Sequence, residues 1–132
     1  MRTTCLLLLH LCLLGCGEKQ ATVTNTGAEA VVRSYFNGIV RQDWPVCYAL
    51  LHPDTQKRLS LQQFASYAQE YRRKIGFLPE EVHIQSCTER ENDAVAHLAL
   101  SGDQSKKKHT FKDGATLKRV ADGWRIVLAQ AR

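Results

Sequence analysis

At Val82 the apolar residues of this chain change their period, and that change limits the fold more than any other feature of the sequence. Before it they recur every three or four residues: Ala28, Val31, Val32, Tyr35, Phe36, Ile39 and Val40 form one stripe, with Glu29, Arg33, Asn37 and Arg41 facing away from it. That is the period of an amphipathic helix. After it they alternate: Val82 with Ile84, then Ala94, Ala96, Leu98 and Leu100, then Trp124, Ile126 and Leu128. Alternation puts one side of a strand on a core and the other in water. Helices first and strands afterwards give an α+β domain rather than a β-α-β succession with a parallel sheet.

Three helices are expected. Thr26-Gly27-Ala28-Glu29 reads as a capping box that opens the first. Asp43 caps a shorter second helix, with Pro45 tolerated in its first turn and His52-Pro53-Asp54 closing it. Ser60-Leu61-Gln62-Gln63 is another capping box, followed by Phe64, Ala65, Tyr67, Ala68 and Tyr71 before Gly76 and Pro79 end the third. In the strand region, turns are expected at Glu91-Asn92-Asp93, Ser101-Gly102-Asp103 and Asp122-Gly123. Lys106 to Phe111 and Thr116 to Val120 flank Asp113-Gly114, which reads either as a hairpin turn or as a bulge in one long strand.

The 132 residues suffice for one domain and leave no room for a second. Their 44% hydrophobic and 23% charged residues support a packed core rather than disorder. The net charge of +5 becomes +4 without the first fifteen residues, since Arg2 leaves and no acid does. That mild excess argues against a nucleic-acid partner, which needs a concentrated basic field.

The amino terminus has its own pattern. A short basic start at Arg2 precedes an apolar run from Cys5 to Leu14, interrupted by His10. Ten residues are too few to cross a bilayer and suit the apolar region of an export signal. Leu13-Leu14-Gly15-Cys16 resembles the bacterial lipobox, in which the cysteine thiol accepts the lipid. The resemblance implies a signal peptide over residues 1–15, lipidation of Cys16, and a linker over 16–25 leading to a domain over 26–132. It also implies a place in the cell envelope, facing the periplasm or exterior; Gly17 after the cysteine points to the outer membrane if the cell is Gram-negative. Residues Gly17 to Asn25, fully extended, reach roughly 30 Å from the anchor.

Within 26–132 two cysteines remain, Cys47 and Cys87. An oxidising compartment permits a disulfide between them, and the alternative is two small buried hydrophobes. Strand parity turns Cys87 away from the helices unless a bulge intervenes. The same parity puts His83 and Cys87 on one face, where a three-residue turn sets Cys87 opposite His97. Three ligand types without a fourth make a weak zinc site, and no metal or other cofactor is expected.

The order of helices and strands, with Tyr35-Phe36 late in the first helix, Asp43-Trp44 opening the second and Asp122-Gly123-Trp124-Arg125-Ile126-Val127 near the end, resembles the nuclear transport factor 2-like (SnoaL-like) superfamily. The resemblance spans Thr26 to about Leu128. It implies a curved antiparallel sheet wrapped around the helices as a cone, with a pocket that houses the chemistry of the catalytic members, among them isomerases and dehydratases. Many relatives are non-catalytic. Fold alone does not choose between these.

Candidate chemistry is sparse. Asp43 is the carboxylate nearest the expected pocket, and a helix cap is its simpler role. Tyr35, Tyr48, Tyr67 and Tyr71 offer hydroxyls to a ligand, or serve as core rings with polar rims. Lys106-Lys107-Lys108-His109 either touches anionic headgroups or protects a strand end. The expectation is a tethered, non-catalytic domain that binds a small ligand or an envelope protein. The alternative is an isomerase or hydratase using Asp43 with Tyr48 or Tyr67. A homodimer through an outer sheet face carrying Val95 and His97 is a third class.

Overall fold

The computed structural model describes residues 27–129. The apolar amino-terminal run, Cys16, the linker and Thr26 of the first capping box lie outside the described residues. Among the described residues four helices precede four strands: α1 Gly27–Arg41, α2 Trp44–Ala49, α3 Pro53–Arg58 and α4 Leu61–Ile75, then β1 Glu81–Arg90, β2 Asp93–Gln104, β3 Lys107–Val120 and β4 Gly123–Val127. The strands pair antiparallel in sequence order. The α+β class expected from the change of period is the architecture observed.

Helix α1 lies against β1 and β4 and buries Ala28, Val32, Tyr35, Phe36 and Ile39. Both of its ends are satisfied by side chains from other elements. The Ala28 amide donates to Glu89 Oε1 of β1 at 3.0 Å, placing an acid at the positive end of the helix. At the other end the Arg72 guanidinium of α4 donates to the carbonyls of Ile39 and Val40, at 2.8 and 3.0 Å. Orphan helix groups are thereby paired by the neighbours that α1 packs on.

The expected second helix is two. His52-Pro53-Asp54 does not end the helical region; it starts α3, with the His52 imidazole accepting the Asp54 amide and Pro53 at the first helical position. There the missing proline N–H costs nothing. Between α2 and α3 the backbone pairs with β4: the Ile126 amide donates to Leu50 O at 2.8 Å, and the His52 amide to Ile126 O at 2.7 Å. This contact covers the β4 edge, which would otherwise present unpaired backbone groups. Helix α4 begins with the capping box at Ser60 and Gln63 and ends at Gly76, φ 85°, a left-handed conformation that glycine adopts without penalty.

Three strand expectations need correction. Ser101-Gly102-Asp103 lies inside β2, and the turn falls at Ser105 and Lys106, both with positive φ, 53° and 62°. Asp113-Gly114 is neither a turn nor a bulge: β3 runs through it in unbroken register with β2, Leu98 opposite Asp113 and His97 opposite Gly114. In β1 the register shifts between Ile84 and Ser86. Gln85 is the extra residue, so Cys87 turns inward to pair with Ala96, while His97 pairs with Ser86. His83, Cys87 and His97 therefore do not assemble, because the bulge inverts the face of the middle one. The core between the layers is built on Phe64, Leu51, Leu98, Leu100, Leu117 and Ile126, all essentially buried.

Candidate functional site

The unbroken course of β3 decides where the site lies. Alternation along its inner face brings Phe111, Asp113, Ala115 and Leu117 toward the helices. Asp113 thus meets α4, where Tyr67 and Tyr71 stand one turn apart, and Tyr35 and Phe36 of α1. These residues, with Ile126 and Leu128 closing the far side, line a cavity of about 430 Å³. That size suits a small organic molecule.

The polar centre of the cavity is one contact. The Tyr71 hydroxyl donates to Asp113 Oδ2 at 2.6 Å, the short distance of a hydrogen bond to a charged acceptor. The other oxygen, Oδ1, accepts the Gly114 amide at 2.7 Å. Burial, and then the hydrogen bond to Asp113, push the Tyr71 hydroxyl well above the ordinary tyrosine range. Burial above all also raises Tyr35, and burial followed by the Asp113 charge raises Tyr67. All three tyrosines are therefore neutral at physiological pH, and their hydroxyls act as hydrogen-bonding groups. Tyr67 stands at the rim, 44% exposed, whereas Tyr35 is buried. Tyr71 also meets Phe111 edge-on, with ring centroids 6.2 Å apart, so packing holds its ring as well as its hydroxyl.

Of the residues singled out from the sequence, Tyr35, Tyr67 and Tyr71 come together here. Asp43 does not: it is exposed and caps α2, accepting the Val46 amide at 3.4 Å. The catalytic alternative built on it loses its carboxylate. Tyr48 also lies elsewhere, its hydroxyl donating to Leu59 O at 2.7 Å and Gln56 O at 3.2 Å to tie α2 to the segment around α3. The Cys47 thiol donates to Tyr35 O at 3.3 Å, and no disulfide joins it to Cys87. Burial pushes that thiol up to about 12. Lys106, Lys107 and Lys108 are exposed at the β2–β3 turn, with Lys108 3.8 Å from Glu81. Cys16 lies outside the described residues. Asp113 is the cavity residue that the sequence concealed, because Asp-Gly is a strong hairpin signal. The alternation of Phe111, Asp113, Ala115 and Leu117 was the signal that could have found it.

Solved structures share the fold. A candidate nuclear transport factor 2-like transpeptidase from Campylobacter jejuni superposes with a TM-score of 0.61 at 11% identity, covering 79% of this chain and 100% of that one. The fold is nuclear transport factor 2-like. Two SEC-C motif containing proteins match at a TM-score of 0.59. The one from Rhodopseudomonas palustris is 12% identical over 81% of each chain. The one from Psychrobacter arcticus is 11% identical over 80% of this chain and 60% of its own. No family model matches the sequence, and no curated protein does. Within the nuclear transport factor 2-like fold the cavity described above lies between the helices and the inner face of the sheet.

Proposed function

We propose that this chain is a lipid-anchored domain of the cell envelope that binds a small ligand, without transforming it, in the cavity between α4 and β3. The observation that carries the reading is the Tyr71 to Asp113 contact inside that cavity. It holds a carboxylate at a fixed place in an otherwise largely apolar, aromatic-walled space, which is how small-molecule sites fix orientation. The tether rests on the lipobox-like Leu13-Leu14-Gly15-Cys16.

One observation favours catalysis of the isomerase or hydratase kind: a carboxylate and a tyrosine hydroxyl share a partly buried cavity. Two weigh against it. Both Asp113 oxygens already accept hydrogen bonds, and burial raises the tyrosine hydroxyls further above the physiological pH range in which proton exchange with a substrate is most effective. A bound ketone should accordingly show no solvent-deuterium incorporation above background, and Asp113-dependent incorporation would establish the catalytic reading instead.

Binding is tested by the thermal midpoint of the full-length, detergent-extracted protein against a panel of neutral, cationic and anionic amphipathic small molecules. Some members should raise the midpoint, and Ala115→Leu, which extends a side chain into the cavity, should abolish the rise. A panel without effect would overturn the reading. The tether is tested separately by intact mass of the membrane-extracted product, expected to fit cleavage before Cys16 with acyl chains attached. An uncleaved, unacylated product would remove the anchor and leave the pocket untouched.

A further inference from the structure

The charge inside the cavity is opposite to that of the molecule around it. The chain carries 18 lysines and arginines against 13 acids, yet the described residues lining the cavity include no lysine, arginine or histidine and one acid, Asp113. The alternation of β3 produces this contrast. Lys112 and Lys118 are exposed on the other parity of the strand, while Asp113 turns inward between them. Among the described residues no ion pair neutralises Asp113. Its hydrogen-bond partners, the Tyr71 hydroxyl and the Gly114 amide, are neutral donors. A half-buried carboxylate without a cation has lost water without gaining a counter-charge, and a bound cation would supply one.

The walls point the same way. Tyr35, Phe36, Tyr67 and Tyr71 bring four aromatic rings to the one space. Aromatic faces carry partial negative charge and attract ammonium groups while tolerating their alkyl substituents. The Tyr71 proton is committed to Asp113, so toward the cavity that hydroxyl offers oxygen lone pairs. An anionic ligand would meet the carboxylate and these rings, and among the described residues lining the cavity no positive group to receive it.

We propose that the occupant of the cavity is a small organic cation, a primary or alkylated ammonium on an apolar body, with its charge beside Asp113 and its alkyl or aryl part against Tyr35, Phe36 and Ile126. This rests on the ligand-binding reading given above and names the class of ligand. The Tyr71 hydroxyl is a positioning group that holds the carboxylate toward the cavity.

Isothermal titration of the full-length, detergent-extracted protein tests it with two matched pairs of probes: choline against its uncharged carbon isostere dimethylbutanol, and phenethylamine against phenethyl alcohol. The cation of at least one pair should bind roughly tenfold or more tighter than its neutral partner. Asp113→Asn, with its fold verified by circular dichroism, should reduce that preference to near unity while leaving the neutral partner's affinity within about twofold. Equal affinities within both pairs, or tighter binding of the alcohols, would overturn the cation and leave the ligand-binding reading standing. If neither these probes nor the wider panel binds, both fall. A preference that persists in Asp113→Asn would place the cation elsewhere and overturn the assignment to this carboxylate.

Discussion

The helical layer meets its neighbours in two ways within one turn of Tyr35. On the side where α1 crosses α2 there is no space at all: a Cβ added to Gly38 would stand 2.4 Å from Cys47 Sγ, and that thiol donates to the Tyr35 carbonyl. On the side where α1 and α4 face the inner surface of β3 and β4, the tyrosine rings stop short of the sheet and leave about 430 Å³. Small residues at the first contact let the helices close. At the second, large aromatic residues surround a carboxylate without filling the space. Interiors are normally packed to the density of organic crystals, so the open side is the exception, and its polar centre is what the closed side lacks.

The largest expected effect comes from the residue that joins the two regions. Phe64 is fully buried and meets the rings of Tyr35, Tyr48 and Tyr67 at 6.0 to 6.3 Å. Phe64→Ala should cost about 3 to 5 kcal/mol by urea unfolding and merge the cavity with a new void. A cost under about 1 kcal/mol would mean that the two regions are not mechanically joined. Next, Gly38→Ala should lose roughly 1 to 3 kcal/mol by overpacking, and Cys47→Ala in the same chain should restore part of it by removing the sulfur that the new methyl meets. A double variant no better than the sum of its singles would refute the closed contact.

Alkaline pH should separate the regions further. The Cys47 thiol is raised from 9.0 to about 12 in the folded chain, so its contribution is complete below pH 9 and is lost as pH climbs toward 12. Tyr35 and Tyr71 are raised in the same sense, so their contributions are also complete below the unfolded tyrosine value and lost above it. Unfolding free energy should therefore fall on the alkaline side. Cys47→Ala should flatten the fall that begins near the ordinary thiol value and keep the later, tyrosine part. A profile unchanged by that substitution would contradict the burial of the thiol.

The sequence announced the helical side of this comparison more openly than the sheet side. The stripes of α1 and α4, the Ser60 capping box, the Asp43 cap and the Gly76 stop each use side-chain chemistry local to the helix, and local chemistry is visible in a string of letters. The errors arose where pairing across the sheet overrode local preference. Asp113-Gly114 has the chemistry of a turn but is held extended by β2. Ser105-Lys106 lacks glycine or asparagine yet turns with positive φ at both residues, because the register on either side leaves two residues to reverse the chain. The bulge at Gln85 has no sequence signature, and it alone moves Cys87 to the inner face. On the helical side the exception is Pro53, which has the chemistry of a stop but follows the His52 cap by one residue and so opens α3. As for the site, the tyrosines were legible from helical spacing, while their carboxylate was hidden in a strand mistaken for a turn.

Whether Asp113 serves a ligand, as proposed above, or the fold is decided by urea unfolding of Asp113→Asn beside the wild type. Asparagine still offers an oxygen to the Tyr71 hydroxyl, gives up the exposed contact with the Gly114 amide and removes a half-buried charge, so a stability change within about 1 kcal/mol in either direction is expected. A loss of about 3 kcal/mol or more would show that the Tyr71 to Asp113 contact holds the domain together, and would contradict the assignment of this cavity to a ligand.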